Sequence, residues 1–131
     1  MIYLDSSALL KLLFEEQESD ALQVWLDSRA SVAKVSSELA KVEVVRATRR
    51  LAPETVPVAV NLLSQLDLVP LSGGVVDQAA HLGEDALRSL DALHLASAIT
   101  LGINLTAFIA YDHRLSAAAS DLGLEVVQPG A

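Results

Sequence analysis

Residues 2–13 read IYLDSSALLKLL, and this stretch decides the fold. Ile2-Tyr3-Leu4 is an apolar run too short for a helix and without the alternation of a half-exposed strand. It reads as a strand buried on both faces. Asp5 ends it. Ser6 and Ser7 are favoured N-cap residues for the helix carried by Ala8, Leu9, Leu10, Leu12 and Leu13. A buried strand that passes at once into a helix opens a βα unit, and the rest of the chain repeats that alternation.

Working outward, Ser19-Asp20 opens a second helix through Trp25 and Leu26. Residues 31–35 read as a short strand. Ser36-Ser37-Glu38 opens a long helix over 37–51, stopped by Pro53. A further helix with Pro57 in its first turn runs to about Leu66. Residues 68–71 contain Pro70 and read as an edge strand. Gly73-Gly74 reads as a turn and 75–87 as a helix. Asp91 opens a helix ending near Gly102. Residues 107–110 form a strand, 115–122 a last helix closed by Gly123, and 125–127 a final strand. Short strands alternating with helices predict an α/β fold, a doubly wound parallel sheet with helices on both faces. In such sheets ligands sit beyond the carboxyl ends of the strands. Asp5 and Asp112 both follow predicted strands.

The 131 residues make one domain spanning 1–131. There is no Cys, which removes disulfide scaffolds, zinc ribbons, thiol catalysis and Fe–S clusters, and fits a reducing cytoplasm. Apolar residues are 52% and aromatics 4% of the chain, so Leu, Val, Ala and Ile build the core. Nine basic against 17 acidic residues give a net charge of −8. That argues against binding nucleic acid or anionic membrane through overall charge, and leaves room for an acidic site filled by a cation. Met1-Ile2-Tyr3-Leu4-Asp5 lacks the basic start of a secretory leader. Residues 92–111 carry no Asp, Glu, Lys or Arg, but Gly102 and Asn104 interrupt them. They read as a buried helix, a turn and a buried strand, with no membrane span expected.

Four acids stand out. Asp5 either caps the first helix or faces the strand ends. Glu43 sits among Val42, Val44 and Val45 on a helix, and its face is shared with Leu39, Ala47 and Arg50. A partly buried carboxylate there needs a partner, either Arg46 or Arg50 as an ion pair or a metal. Asp91 and Asp112 each read as an N-cap or as a site residue. Together the four are able to converge at one rim of the sheet. Oxygen-only donors suit Mg²⁺ or Mn²⁺ rather than zinc, and clustered carboxylates without a cation repel one another.

These residues resemble the PIN-domain ribonucleases, specifically the VapC-type toxins of VapBC toxin–antitoxin pairs. The resemblance rests on YLDSSALLKL, SSELAKVEVVRA around Glu43, LDALHLASA from Asp91, and AYDHRLSAAASDLGLEVV at the end. It spans essentially the whole chain and implies a three-layer α/β/α fold around a short-stranded, parallel five-stranded sheet. It assigns Asp5, Glu43, Asp91 and Asp112 to the family's acidic metal-binding quartet and Ser7 to a hydroxyl lining it. The pattern departs at Ala110, where family members often carry Thr or Ser.

The resemblance implies Mg²⁺- or Mn²⁺-dependent hydrolysis of RNA phosphodiesters, leaving 5′-phosphate and 3′-hydroxyl ends. Asp5 and Asp91 would be the principal ligands, with Glu43 and Asp112 on a second metal or acting through water. His94, one turn after Asp91, either orients that carboxylate or is a satisfied core histidine. Candidate phosphate contacts are Lys11, Arg46, Arg49, Arg50 and Arg114, with a solvated helix face as the alternative. The resemblance also implies a small VapB-like antitoxin that blocks the site, and a homodimer. Phe14, Trp25 and Leu26 are candidates for such a surface if they are not core. Three other readings compete. One is a PIN nuclease of RNA maturation. Another is a non-catalytic module gripping a basic peptide through its acidic pocket. A phosphoacceptor or haloacid-dehalogenase-like domain is opposed by Ser7, where Asp-x-Asp would need an acid, and by the absence of Lys after Lys41.

Overall fold

The computed structural model describes residues 1–131. The elements run β1 (Ile2–Leu4), α1 (Ser6–Leu13), α2 (Ser19–Asp27), β2 (Lys34–Ser37), α3 (Glu38–Leu51), α4 (Val56–Ser64), β3 (Asp67–Val69), α5 (Gly73–Ala80), α6 (Ser89–Ile99), β4 (Ala107–Ile109), α7 (His113–Asp121) and β5 (Val126–Val127). The five strands form one all-parallel sheet in the order β3-β2-β1-β4-β5.

Strand periodicity divides the core into two layers. Ile2 and Leu4 of β1, with Ala107 and Ile109 of β4, pack against Leu9, Leu22, Val44 and Leu63 from the helices α1 to α4. Tyr3 and Phe108, one residue out of step, pack on the opposite face against Leu95 of α6 and Leu115 of α7. Tyr3 and Phe108 are register partners, and their rings stack with centroids 5.4 Å apart and planes 3° from parallel. Each central strand is thus buried on both faces, which its uninterrupted apolar sequence requires.

The sheet order reverses between β1 and β4. That is the switch point where loops leave in opposite directions and open a crevice at the carboxyl ends of the strands. The helices run back against the strands, so the amino-terminal turns of α3 and α6 lie at the same rim.

Three elements differ from the sequence expectation: β2, α5, and the edge strand β3, which is Asp67–Val69 rather than 68–71 and ends before Pro70. The second strand is 34–37 rather than 31–35. Its serines are both fully buried: Ser36 Oγ donates to the Leu4 carbonyl at 2.6 Å, and Ser37 Oγ accepts from Leu39 N at 3.0 Å as the N-cap of α3. Gly73-Gly74 is not a turn but the start of α5, because Ser72 Oγ caps Val75 N at 3.2 Å. That helix stops at Ala80 instead of 87, and Gly83 follows with φ +73°. The uncharged stretch 92–111 is α6, a turn at Gly102 and β4. No helix is long and apolar enough to cross a membrane.

Candidate metal centre

Asp5 is the N-cap of α1 and only 5% exposed. Its Oδ1 accepts from Ala8 N at 2.9 Å and from Ser7 Oγ at 2.7 Å. Ser7 Oγ also accepts from Tyr111 N at 3.3 Å, tying α1 to the segment after β4. Capping is therefore real, but it uses one carboxylate oxygen.

Glu43 lies in the second turn of α3. Of the two alternatives for its partner, the ion pair with Arg46 or Arg50 is not formed. Its Oε1 instead accepts from Ser6 Oγ and from His94 Nε2, both at 2.7 Å. An ionised carboxylate only accepts, so Nε2 carries the proton. In the neutral ring Nδ1 then accepts from Tyr3 OH, 2.7 Å away. The histidine one turn after Asp91 thus serves Glu43, not Asp91. A chain from buried Tyr3 through buried His94 to half-buried Glu43 links the core of the sheet to the cavity wall.

Asp91 is not an N-cap. Arg88 occupies that position of α6, and Asp91 sits in the first turn, where its charge suits the helix dipole. Neither Asp91 oxygen takes a protein hydrogen bond. Asp112 is the N-cap of α7, its Oδ1 accepting from Leu115 N at 2.9 Å.

These residues line one cavity of about 330 Å³, together with Ser6, Ser7, Arg88, Ser89, Leu90 and His94. Larger hollows of about 610 and 460 Å³ open elsewhere, but neither gathers buried carboxylates. Burial raises the Asp5 carboxyl above its ordinary range. Asp91 is raised by burial first and then by the charge of Asp112. Burial pushes Glu43 the same way, but the hydrogen bonds from His94 and Ser6 outweigh it and hold that carboxyl below its ordinary range. Burial, with the charge of Asp5 added, raises the Tyr3 phenol far up, so it stays a neutral donor.

No three of these side chains stand ready-made around one cation point. The donor set nonetheless fits a hard cation. Asp5, Glu43 and Asp112 each fix one oxygen to the protein and leave the second without a protein partner; Asp91 leaves both. No buried side-chain polar atom lacks a partner and Asp112 is exposed, so the free oxygens are open to solvent beside the cavity these residues line. Free carboxylate oxygens completed by water are the ligand chemistry of Mg²⁺ and Mn²⁺.

The other sequence candidates fall outside the cavity. Lys11 is held 2.7 Å from Glu16 and 2.8 Å from Glu18. Arg46, Arg49 and Arg50 are exposed along α3, and Arg114 lines a different hollow beside Leu87 and Leu122. Ala110 is fully buried with Tyr3 and Phe108, so its position lends no side chain to the cavity. Leu26 is core, Trp25 lies under the guanidinium of Arg29 at 3.8 Å, and Phe14 is half-buried at the end of α1. Sequence reasoning missed Arg88. Its one available signal was a basic residue placed one helical turn before Asp91.

The PIN domain family model matches residues 2–121. Ribonuclease VapC35 of Mycobacterium tuberculosis is 47% identical over 132 residues, covering 99% of this chain and 98% of the relative. Ribonuclease VapC47 of the same species is 41% identical over 134 residues, covering 100% and 98%. Among solved structures, M. tuberculosis VapC20, described as a sarcin-ricin loop cleaving toxin, aligns with a TM-score of 0.75 at 17% identity over 90% of this chain and 95% of that one. VapBC2 of Rickettsia felis, described bound to a DNA fragment from its promoter, aligns at 0.74 and 15% identity over 98% and 99%. At these identities the structures speak for the fold alone.

Proposed function

This chain belongs to the PIN-domain family, as a ribonuclease toxin of the VapC type, and from that premise we propose how its cavity acts. Asp5, Glu43, Asp91 and Asp112 hold one or two Mg²⁺ or Mn²⁺ ions through the oxygens left free of the protein. The observation carrying this reading is the pattern of anchored and free carboxylate oxygens around one cavity. A bound cation of this kind would lower the pKa of a coordinated water and offset charge gathering on the phosphate.

The chain's own residues supply the placement. Asp5 is fixed by the α1 backbone and Ser7, Asp112 by the α7 backbone, and Glu43 by Ser6 and His94. Each is held before substrate arrives, so little reorganisation is left to the reaction. Water adds to phosphorus, the bond to the 3′ oxygen breaks, and that oxygen leaves with a proton. The products are 5′-phosphate and 3′-hydroxyl ends. A small cognate antitoxin presenting basic side chains to the acids is the partner that would silence the cavity, and a homodimer is the expected assembly.

The test is cleavage of total RNA by antitoxin-free protein in Mg²⁺, Mn²⁺ or EDTA, beside Asp5→Asn. Asn keeps an acceptor for Ala8 N but loses the charge. Discrete cleavage lost in EDTA and in the variant is expected. Equal activity of the two proteins would sink the quartet mechanism.

A further inference from the structure

We propose that Arg88 is the residue that grips the phosphate of the RNA at the point of cleavage. The proposal rests on the ribonuclease reading of the acidic cavity. A polyanionic strand must enter a cavity walled by four acids in a protein of net charge −8, so a cation is needed at its wall. The chain has nine basic residues, and Arg88 alone of them lines that cavity.

The others are paired or lie elsewhere; Arg46 and Arg49 are exposed on α3 and do not line the cavity. Lys11 is paired with two glutamates, and its side chain is only 12% exposed. Lys34 bonds the Arg29 carbonyl, and Arg29 lies over Trp25. Lys41 and Arg114 line other hollows. Arg50 is seven residues past Glu43 on α3, about 10 Å along the helix.

Arg88 differs from these in its place at the wall of the acidic cavity. Its backbone is pinned as the N-cap of α6, with its carbonyl accepting from Ala92 N at 2.9 Å. Its exposed guanidinium makes no hydrogen bond within the protein and joins none of its salt bridges. A fixed root and an uncommitted planar fork suit two non-bridging phosphate oxygens at once. Arg88 also stands one helical turn before Asp91, so a phosphate on the fork lies beside the acids that would hold the cation.

The test compares wild type with Arg88→Gln, Arg88→Lys and Lys41→Gln, an exposed α3 cation outside the cavity. Affinity for a labelled single-stranded RNA is read by fluorescence anisotropy in EDTA across a salt series. Cleavage of the same RNA is followed in Mg²⁺. Arg88→Gln is expected to weaken binding about tenfold and to flatten the slope of log K against log salt by about 0.7, one phosphate's share for a single strand. Its kcat/KM should fall by more than tenfold. Arg88→Lys should keep the salt slope but recover only part of kcat/KM, because an ammonium holds the charge without the fork. Lys41→Gln should match wild type. Circular dichroism melts check folding, and if Arg88→Gln is unfolded the Lys variant decides, since wild-type kcat/KM there overturns the proposal. Wild-type slope and kcat/KM in folded Arg88→Gln overturn it while the ribonuclease reading stands. A wild type that neither binds nor cleaves RNA brings both down.

Discussion

His94 shows how much depends on one side chain. It is 2% exposed, and it joins the buried Tyr3 phenol to Glu43, a carboxylate proposed to hold the cation. Replacing it with Ala opens a void, takes from the Tyr3 hydroxyl its 2.7 Å partner and leaves Glu43 on Ser6 alone. The expected cost is about 3 kcal/mol in urea unfolding, from cavity and unpaired donor together. Mn²⁺ affinity by calorimetry should fall roughly 10–100-fold, the usual effect of removing a group that orients a ligand. Unchanged Mn²⁺ affinity would mean that Glu43 needs no such support. Sequence placed His94 on the same face as Asp91, either orienting that carboxylate or satisfied in the core, and the structure buries it with both ring nitrogens paired. Its service to Glu43 was not legible, because the two residues are 51 positions apart and meet only after α3 and α6 dock on the sheet. The presence of the four acids was legible. Which of their oxygens remain free was not.

At the scale of elements, sequence and structure agree where one signal dominates. β1 and β4 are uninterrupted apolar runs, α3 is bounded by a serine cap and Pro53, and α4 carries Pro57 in its first turn. They disagree where polar residues are buried or where glycine misleads. Ser36 and Ser37 read as the opening of a helix, yet both lie in β2, where each hydroxyl finds a backbone partner that pays for its burial. Ser72 starts α5 on two glycines that read as a turn. Ser37 is the sharper test of this reasoning, being fully buried and capping the helix that carries Glu43. Ser37→Ala should lower stability by about 1 kcal/mol, seen as a lower urea midpoint with an unchanged m-value. A change in m would instead report an altered native or denatured ensemble.

For the molecule as a whole, the cavity sets acids against the fold's own stability. Asp5 and Asp91 are raised in the folded chain, so the folded state binds their protons more tightly than the unfolded state does. Stability from these two is therefore present at low pH and lost as pH climbs above the unfolded carboxyl range near about 4. Glu43, lowered, acts in the opposite sense and loses its contribution as pH falls. Glu18 is lowered as well, by Lys11, but both lowered groups lose their contribution only below the ordinary carboxyl range, so above it the two raised carboxyls decide: the metal-free protein should melt lower at pH 7 than at pH 5, and Asp5→Asn should flatten that dependence. Divalent cation should reverse the trend at neutral pH, by about 10 °C when it exceeds its dissociation constant a hundredfold. A melting temperature blind to both pH and cation would contradict the electrostatics described. The doubly wound architecture was legible because five short strands and their helices alternate. The switch point was not, because strand order is a property of the closed sheet. The anchoring of Asp5 and Asp112 by one oxygen each has a practical consequence. On the proposed reading, amide replacement at either position should leave the cap in place and strip only a cation ligand, giving a silent decoy of native outline. Such a protein can be produced in cells that the active toxin would kill, and used there to fish out intact RNA.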